Sequence, residues 1–229
     1  MGSYFVLIPY HKILRGYWIF VIMKKNLKNK WEDDLARRAR AEKYPARSVY
    51  KLEEIQNKFK IIKQGNRVLD LGCAPGSWLL YAGKKVGPKG CVLGIDMKAV
   101  DINLPVNVRA VQEDIVNILE TGNKRQEEVS SVLDGETLFN VILSDMAPST
   151  TGHREVDAVR SHELCRLALE LADNYLIRGG HFICKIFQGS DFDNFWKIIK
   201  SKFKESKNFK PGSCRKASKE IYIVAKFKN

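Results

Sequence analysis

Four ionisable residues interrupt apolar or helix-forming stretches of this chain: Lys185 within HFICKIFQG, Asp145 at the end of VILSDMAP, Glu220 at the start of EIYIVAKF and Lys51 in RSVYKLEEI. Taken singly, Lys51 suits an exposed helix position, and Asp145 suits a turn before Ala-Pro. Lys185 is different. Burying an ammonium inside a strand is costly unless a carboxylate pairs with it or its proton is put to use. Asp145 closes the strand-like run before that of Lys185 and Glu220 opens the one after it, so a wound sheet would bring the three near one rim. A second cation nearby favours the free amine of such a lysine, whereas carboxylates favour and orient the ammonium. If the first effect prevails, the lysine can act as a general base.

A second constellation lies in VLDLGCAPGSW, Val68 to Trp78, where a strand-like run ends in an acid, a glycine, a proline and a second glycine. In an open α/β sheet the first strand-to-helix loop meets the ligand. Gly72 and Gly76 let the backbone approach it, and Pro75 sets the chain direction. The spacing departs from G-x-G-x-x-G, and there is no G-x-x-x-x-G-K-[ST], which weakens a dinucleotide site and removes a P-loop. Asp96 ends VLGIDM, 20 residues after Gly76, where a carboxylate can accept hydrogen bonds from ribose hydroxyls. Asp114 in VQEDI follows the third strand and can meet an adenine amino group. Acids at successive strand ends fit an adenosine-containing cofactor, S-adenosylmethionine ahead of NAD.

The elements that must hold these residues alternate. Strand patterns occupy residues 67–71, 91–95, 106–111, 138–143, 181–187 and 221–227, and helical patterns occupy 77–86, 156–176 and 191–203. This predicts an α/β fold with a doubly wound, mostly parallel sheet covered by helices on both faces. Residues 31–57 are helix-forming apart from Pro45, and the polar stretch 120–137 reads as a loop or short surface helix inserted before the fourth strand. Three segments follow: an apolar extension, 1–23; a basic helical arm carrying Lys51, 24–64; and the wound domain, 65–229. The apolar run Gly16–Met23 is shorter than the ~20 residues needed to span a bilayer, and Met23 reads as an alternative natural start.

The 229 residues carry a formal charge of +13, unevenly placed. Residues 24–51 hold ten Lys or Arg against four Asp or Glu, and residues 196–229 hold eleven against two, so an acidic body lies between basic flanks. Such flanks suit a polyanion, nucleic acid above all, or else are solvated lysine faces. Arg37, Arg38, Arg40 and Arg47 are the candidate nucleic-acid contacts. The five cysteines include no CxxC pair, and Cys73, Cys91 and Cys184 lie in or beside apolar runs, where a thiol acts as a small hydrophobe. The four histidines form no ligand-like cluster. No metal site and no disulfide framework are expected.

RSVYKLEEI, VLDLGCAPGSW, ILSDMAPSTTG, CKIFQG and SCRKASKEIYIVA, in this order, resemble the FtsJ-like family of RNA 2′-O-ribose methyltransferases, and most closely its bacterial branch acting on large-subunit ribosomal RNA. The resemblance runs from about Trp31 to Lys226. It implies a seven-stranded Rossmann-like methyltransferase sheet over 65–229 and S-adenosylmethionine as cofactor. It also implies a tetrad of Lys51, Asp145, Lys185 and Glu220, with Lys185 as the central base. Cofactor contacts would come from Gly72, Gly76, Trp78, Asp96 and Asp114, with Asp145 near the methionine end. The implied partner is RNA within a ribosomal subunit, met by a cytoplasmic, monomeric enzyme without membrane or metal. A transfer-RNA or cap 2′-O-methyltransferase shares the tetrad, and a non-catalytic ribosome-assembly factor on the same scaffold is the reading from another class. The bacterial branch more often has alanine at Cys73 and a shorter insert at 120–137.

Overall fold

The computed structural model of the chain describes residues 34–121, 138–215 and 217–229. The apolar extension 1–23, the start of the basic arm and nearly all of the insert at 120–137 lie outside the described residues.

The core element is a seven-stranded sheet built from β1 (Arg67–Leu71), β2 (Cys91–Asp96), β3 (Val108–Gln112), β4 (Phe139–Ser144), β5 (Leu176–Phe187), β6 (Phe203–Phe209) and β7 (Glu220–Lys228), in the order β3-β2-β1-β4-β5-β7-β6. β3, β2, β1, β4 and β5 run parallel, and β7 is antiparallel to both β5 and β6. The order reverses between β1 and β4, so their carboxyl ends open the crevice in which such folds bind ligands.

Helices α1 (Asp34–Ala41), α2 (Val49–Phe59) and α3 (Ser77–Val86) share one buried core with Val68, Val141, Leu143, Ile183 and Tyr222 of the sheet. On the opposite face α4 (Ile115–Thr121), α5 (Arg154–Tyr175) and α6 (Phe192–Lys202) pack on Leu69, Leu71, Ile142, Phe182, Cys184 and Ile186. Successive strand residues alternate between these cores, as the period of two requires. By that alternation Asp70, Asp96, Asp145, Lys185 and Glu220 all point to the α1–α3 face.

Local sequence accounts for the helix that follows the glycine loop. SWLLYAGKKV buries Trp78, Leu79, Ala82 and Val86 along one stripe, places Lys84 and Lys85 against the negative end of the helix dipole, and stops at Gly87 with φ 65°. The described part of the basic arm packs as part of this domain, because Ala39, Val49, Leu52 and Ile55 belong to the same core as Trp78.

The observed elements depart from the sequence patterns in particular places. β5 begins at Leu176, five residues before the apolar run. β6 was absent from the pattern because FKESKNF buries only Phe203 and carries lysines along an exposed strip, the usual protection of an edge strand. The short helix α4 follows β3, with Ile115 and Ile118 buried. Cys73 and Cys184 are buried as expected, whereas Cys91, at the first residue of β2, is exposed.

Candidate active site

The carboxylate of Asp145 is the centre of the polar array. Its Oδ1 accepts from the Lys185 ammonium at 2.9 Å and from the Tyr222 hydroxyl at 2.6 Å. Lys185 donates in addition to the main-chain oxygen of Asp145. Beside this pair lies a second one, Lys51 Nζ to Glu220 Oε1 at 2.8 Å, and Lys51 stands 6.0 Å from the Tyr222 ring. All four charges are largely removed from water: side-chain exposure is 6% for Lys185, 17% for Asp145, 14% for Lys51 and 12% for Glu220. The four ionisable residues singled out by sequence therefore meet in one place, brought there by β5, β7, α2 and the residue that follows β4.

Glu220 does not orient Lys185. In the antiparallel β5–β7 register Lys185 lies opposite Tyr222, and Glu220 lies opposite Phe187. One strand step places the Glu220 carboxylate at Lys51, and the partner directly across from Lys185 is a tyrosine that sequence reasoning passed over. Burial first, then the charges of Asp145 and Glu220, holds the Tyr222 phenol well above its ordinary range, so it is neutral and donates. For Lys51 burial alone would lower the pKa, but Asp145 and the Glu220 contact outweigh it and hold the group above its usual value. Lys51 is thus a fixed cation at neutral pH.

Lys51 reaches the site because α2 is fastened to the loop before β7 at its middle and just ahead of its first turn. Glu54 accepts the N–H of Gly212 at 2.6 Å and of Ser213 at 2.8 Å, and Arg47 donates to the Ser213 carbonyl. Tyr222→Phe removes one donor from Asp145 while leaving its Lys185 pair. It is expected to slow turnover by about five- to thirtyfold, equivalent to about 1–2 kcal/mol, with cofactor affinity unchanged in calorimetry.

The glycine loop sits at the head of β1. Gly72 and Gly76 adopt φ 76° and 104°, the region where a side chain is strained. A Cβ at Gly72 would come within 2.6 Å of Met146, and one at Gly76 within 2.6 Å of Ile102, so both glycines also admit the neighbouring loops. Asp96 ties the turn down: one carboxylate oxygen accepts the Ala74 N–H at 2.9 Å and the other the Lys98 N–H at 2.8 Å. Each oxygen keeps a second lone pair for a ribose hydroxyl. Asp114 caps α4 through the Val116 N–H at 2.9 Å, at the end of the next strand.

The side chain of Trp78 is committed to the core. Its ring is 3% exposed, 5.9 Å from Tyr222, and its indole N–H is bonded to the Ser48 carbonyl at 2.9 Å. The ring therefore braces α3 against the start of α2, and the N–H groups of the first turn of α3 are what that segment offers a ligand.

Among the candidate RNA contacts, Arg37, Arg38 and Arg40 lie on the exposed side of α1. Arg38 is engaged with Glu42 and Glu53 and lies 4.3 Å over the Tyr50 ring, and Arg47 holds the Ser213 loop. Lys84, over Tyr44 at 4.5 Å, and Lys58, over Phe209 at 4.4 Å, add cations set on aromatic faces that the sequence did not single out.

One further acid, placed by the sequence in the glycine loop, was given no role there. Asp70, at the end of β1, is fully buried, and neither carboxylate oxygen has a hydrogen-bond partner among the described residues. An orphaned acid beneath the glycine loop, flanked by Asp96 and Asp145, suits a ligand that brings positive charge and hydroxyl donors. The residues at this loop therefore fit S-adenosylmethionine.

Known proteins resemble this chain in sequence and in fold. The FtsJ-like methyltransferase family matches residues 44–228. The chain is 51% identical to the ribosomal RNA large subunit methyltransferase E of Desulforapulum autotrophicum, over 87% of this chain and 94% of that protein. It is 49% identical to the protein of the same name from Desulfosudis oleivorans, over 85% and 90%. A Plasmodium falciparum crystal structure assigned as a ribosomal RNA methyltransferase superposes with a TM-score of 0.68 at 30% identity, covering 81% of this chain and 98% of that one. Fibrillarin of Aeropyrum pernix, solved with S-adenosyl-L-methionine bound, shares the fold at a TM-score of 0.55 and 16% identity, over 78% and 76%.

Proposed function

The chain belongs to the FtsJ-like methyltransferase family, and from that premise we propose that it transfers the methyl group of S-adenosylmethionine to a ribose 2′-hydroxyl of large-subunit ribosomal RNA. The observation that carries the reading is the Lys185–Asp145 pair at the strand ends beside the glycine loop. A ribose hydroxyl is a weak acid and a poor nucleophile until its proton is removed. S-adenosylmethionine supplies an electrophilic methyl group on a sulfonium centre.

Lys185 first gives one proton to solvent and, as the free amine, takes up the ribose proton; the Asp145 side chain and carbonyl hold the ammonium that results. Tyr222 keeps the Asp145 carboxylate aimed at Lys185. Lys51, a cation held in place by Glu220, sets positive potential where charge grows on the 2′-oxygen. Base assistance of this kind contributes roughly 10² to 10⁴ in rate, and fixed positioning supplies a further share. The chemistry assigns no step to a metal.

Gly72, Gly76 and the first turn of α3 form the cradle, Asp96 receives ribose hydroxyls and Asp114 the adenine edge. Asp96→Ala removes both the ribose acceptor and the anchor of Ala74. It is expected to weaken S-adenosylmethionine binding by about ten- to a hundredfold in calorimetry, with a smaller change in turnover at saturating cofactor.

The exposed basic side chains of α1 suit RNA phosphates. The names of the 51% and 49% identical relatives support the large ribosomal subunit as the source of that RNA. No helix among the described residues is long and apolar enough to cross a membrane, and a ribosomal acceptor would place the reaction in the cytoplasm, with the chain acting as a monomer. Mapping ribose methylation in RNA from cells with and without this protein tests the reading. One large-subunit position should lose its mark; a mark lost from transfer RNA alone would overturn the acceptor assignment.

A further inference from the structure

β1, β2 and β4 each send a carboxylate to the same face of the sheet at their carboxyl ends. Asp70 lies opposite Gly94 and Leu143, and Asp96 and Asp145 follow those residues by two positions. The three acids therefore cluster around the floor of the glycine loop. Two of them are answered: Asp145 by Lys185 and Tyr222, Asp96 by two backbone N–H groups. Asp70 is not. It is the most deeply buried of the three, and both its oxygens lack a donor, a condition a carboxylate in a protein interior does not sustain without compensation.

The other groups around Asp70 offer it no charge compensation. Asp96 and Asp145 are acidic, and the cation of Lys185 is taken by Asp145. The Cys73 thiol is held neutral by burial first, then by Asp70 and Asp96. The first two turns of α3 carry no charged side chain, and the ammonium of Lys51 on α2 is taken by Glu220. Burial, then Asp145 and Asp96, push the Asp70 carboxyl well above the ordinary range. An ionised Asp70 would find no unclaimed opposite charge among these residues.

We propose that Asp70 is the charge-sensing residue of the cofactor pocket, protonated in the free protein and ionised when the cationic cofactor seats over the glycine loop. This rests on the reading that the loop holds S-adenosylmethionine, whose ammonium and sulfonium centres bring the missing charge. The proton leaves to solvent as the cofactor binds, so the negative charge on Asp70 is matched by the cofactor's positive charge and no buried acid is left uncompensated. Cofactor affinity then rises with pH, by up to about tenfold per pH unit where release is complete.

The sign for stability is opposite. A carboxyl raised in the folded state contributes stability that is full below about pH 4 and is lost as pH rises towards its folded value, since the folded protein there holds more protons than the unfolded one. Asp70→Asn should therefore gain thermal stability relative to the native chain at pH 8 and not at pH 4.

The test is titration calorimetry of S-adenosylmethionine into the full chain at pH 7 in buffers of differing ionisation enthalpy. The native protein is expected to release a substantial fraction of one proton per cofactor bound. Asp70→Asn should bind with no proton release and with affinity flat in pH. If the asparagine variant does not fold, Asp70→Ser serves in its place, and the native pH series decides independently. Zero release by the native protein, or equal release by the variant, would overturn the proposal. Absence of any binding by the native protein would instead overturn the cofactor reading on which it rests.

Discussion

Lys185→Ala is expected to lower methyl transfer by about 10²- to 10⁴-fold or more while S-adenosylmethionine still binds. The lysine is 6% exposed and bonded to both the carboxylate and the main-chain oxygen of Asp145. Its head group thus has a fixed position at the mouth of the glycine loop. Removing it leaves a poorly exposed carboxylate with Tyr222 as its remaining side-chain donor, so a drop in melting temperature is expected as well. Lys185→Arg separates the two effects. Arginine keeps the cation and much of the ion pair but does not give up a proton in proteins. A stable, inactive arginine variant identifies the proton acceptor; an active one would make the charge alone sufficient.

Asp145→Ala is expected to have the second-largest effect, and on two quantities at once. One oxygen of this carboxylate collects both the Lys185 ammonium and the Tyr222 hydroxyl. Breaking a buried pair by deleting one partner typically costs about 3–5 kcal/mol. For a domain of this size that corresponds to a fall of about 6–20 °C in melting temperature. Activity should be lost with it, because Lys185 is then free to leave its position. Asp145→Asn retains the shape and an acceptor for Tyr222 but not the charge. It should recover a large part of the stability and little of the turnover, measured by thermal melts and single-turnover methyl transfer. Recovery of both by asparagine would show that the charge of Asp145 is dispensable.

The sequence made Lys185 conspicuous for a reason the structure bears out: a lysine in an apolar strand demands a partner, and Asp145 is that partner. The acids at strand ends were visible for the same reason, since the alternation of strand and helix sends strand ends to one rim. Tyr222 was not visible. A tyrosine in EIYIVAKF reads as core, and only the β5–β7 register sets its hydroxyl against the carboxylate of a third strand. The same register moved Glu220 from Lys185 to Lys51.

Asp70 was seen as a loop residue because it precedes Gly72, whereas its side chain turns inward under the loop. Burial of that kind depends on what the loop folds over, which neighbouring residues do not encode. Trp78 illustrates the converse. Its position beside the glycines suggests a ligand contact, which its main chain can still make, whereas the large ring is claimed by the nearest core and the Ser48 carbonyl satisfies its indole N–H. β6 escaped notice because an edge strand with lysines along it lacks the alternation that marks half-buried strands.

The proposed chemistry is a base-assisted transfer to a ribose 2′-oxygen at the Lys185–Asp145 pair. The most direct measurement follows labelled methyl from S-adenosylmethionine onto purified large ribosomal subunits, comparing the native chain with Lys185→Arg, with the product read after alkaline hydrolysis. A methylated 2′-oxygen cannot assist cleavage of its own phosphodiester, so the label should appear in an alkali-resistant dinucleotide for the native protein and be absent for the variant. Label released as a single nucleotide, or equal incorporation by Lys185→Arg, would contradict it.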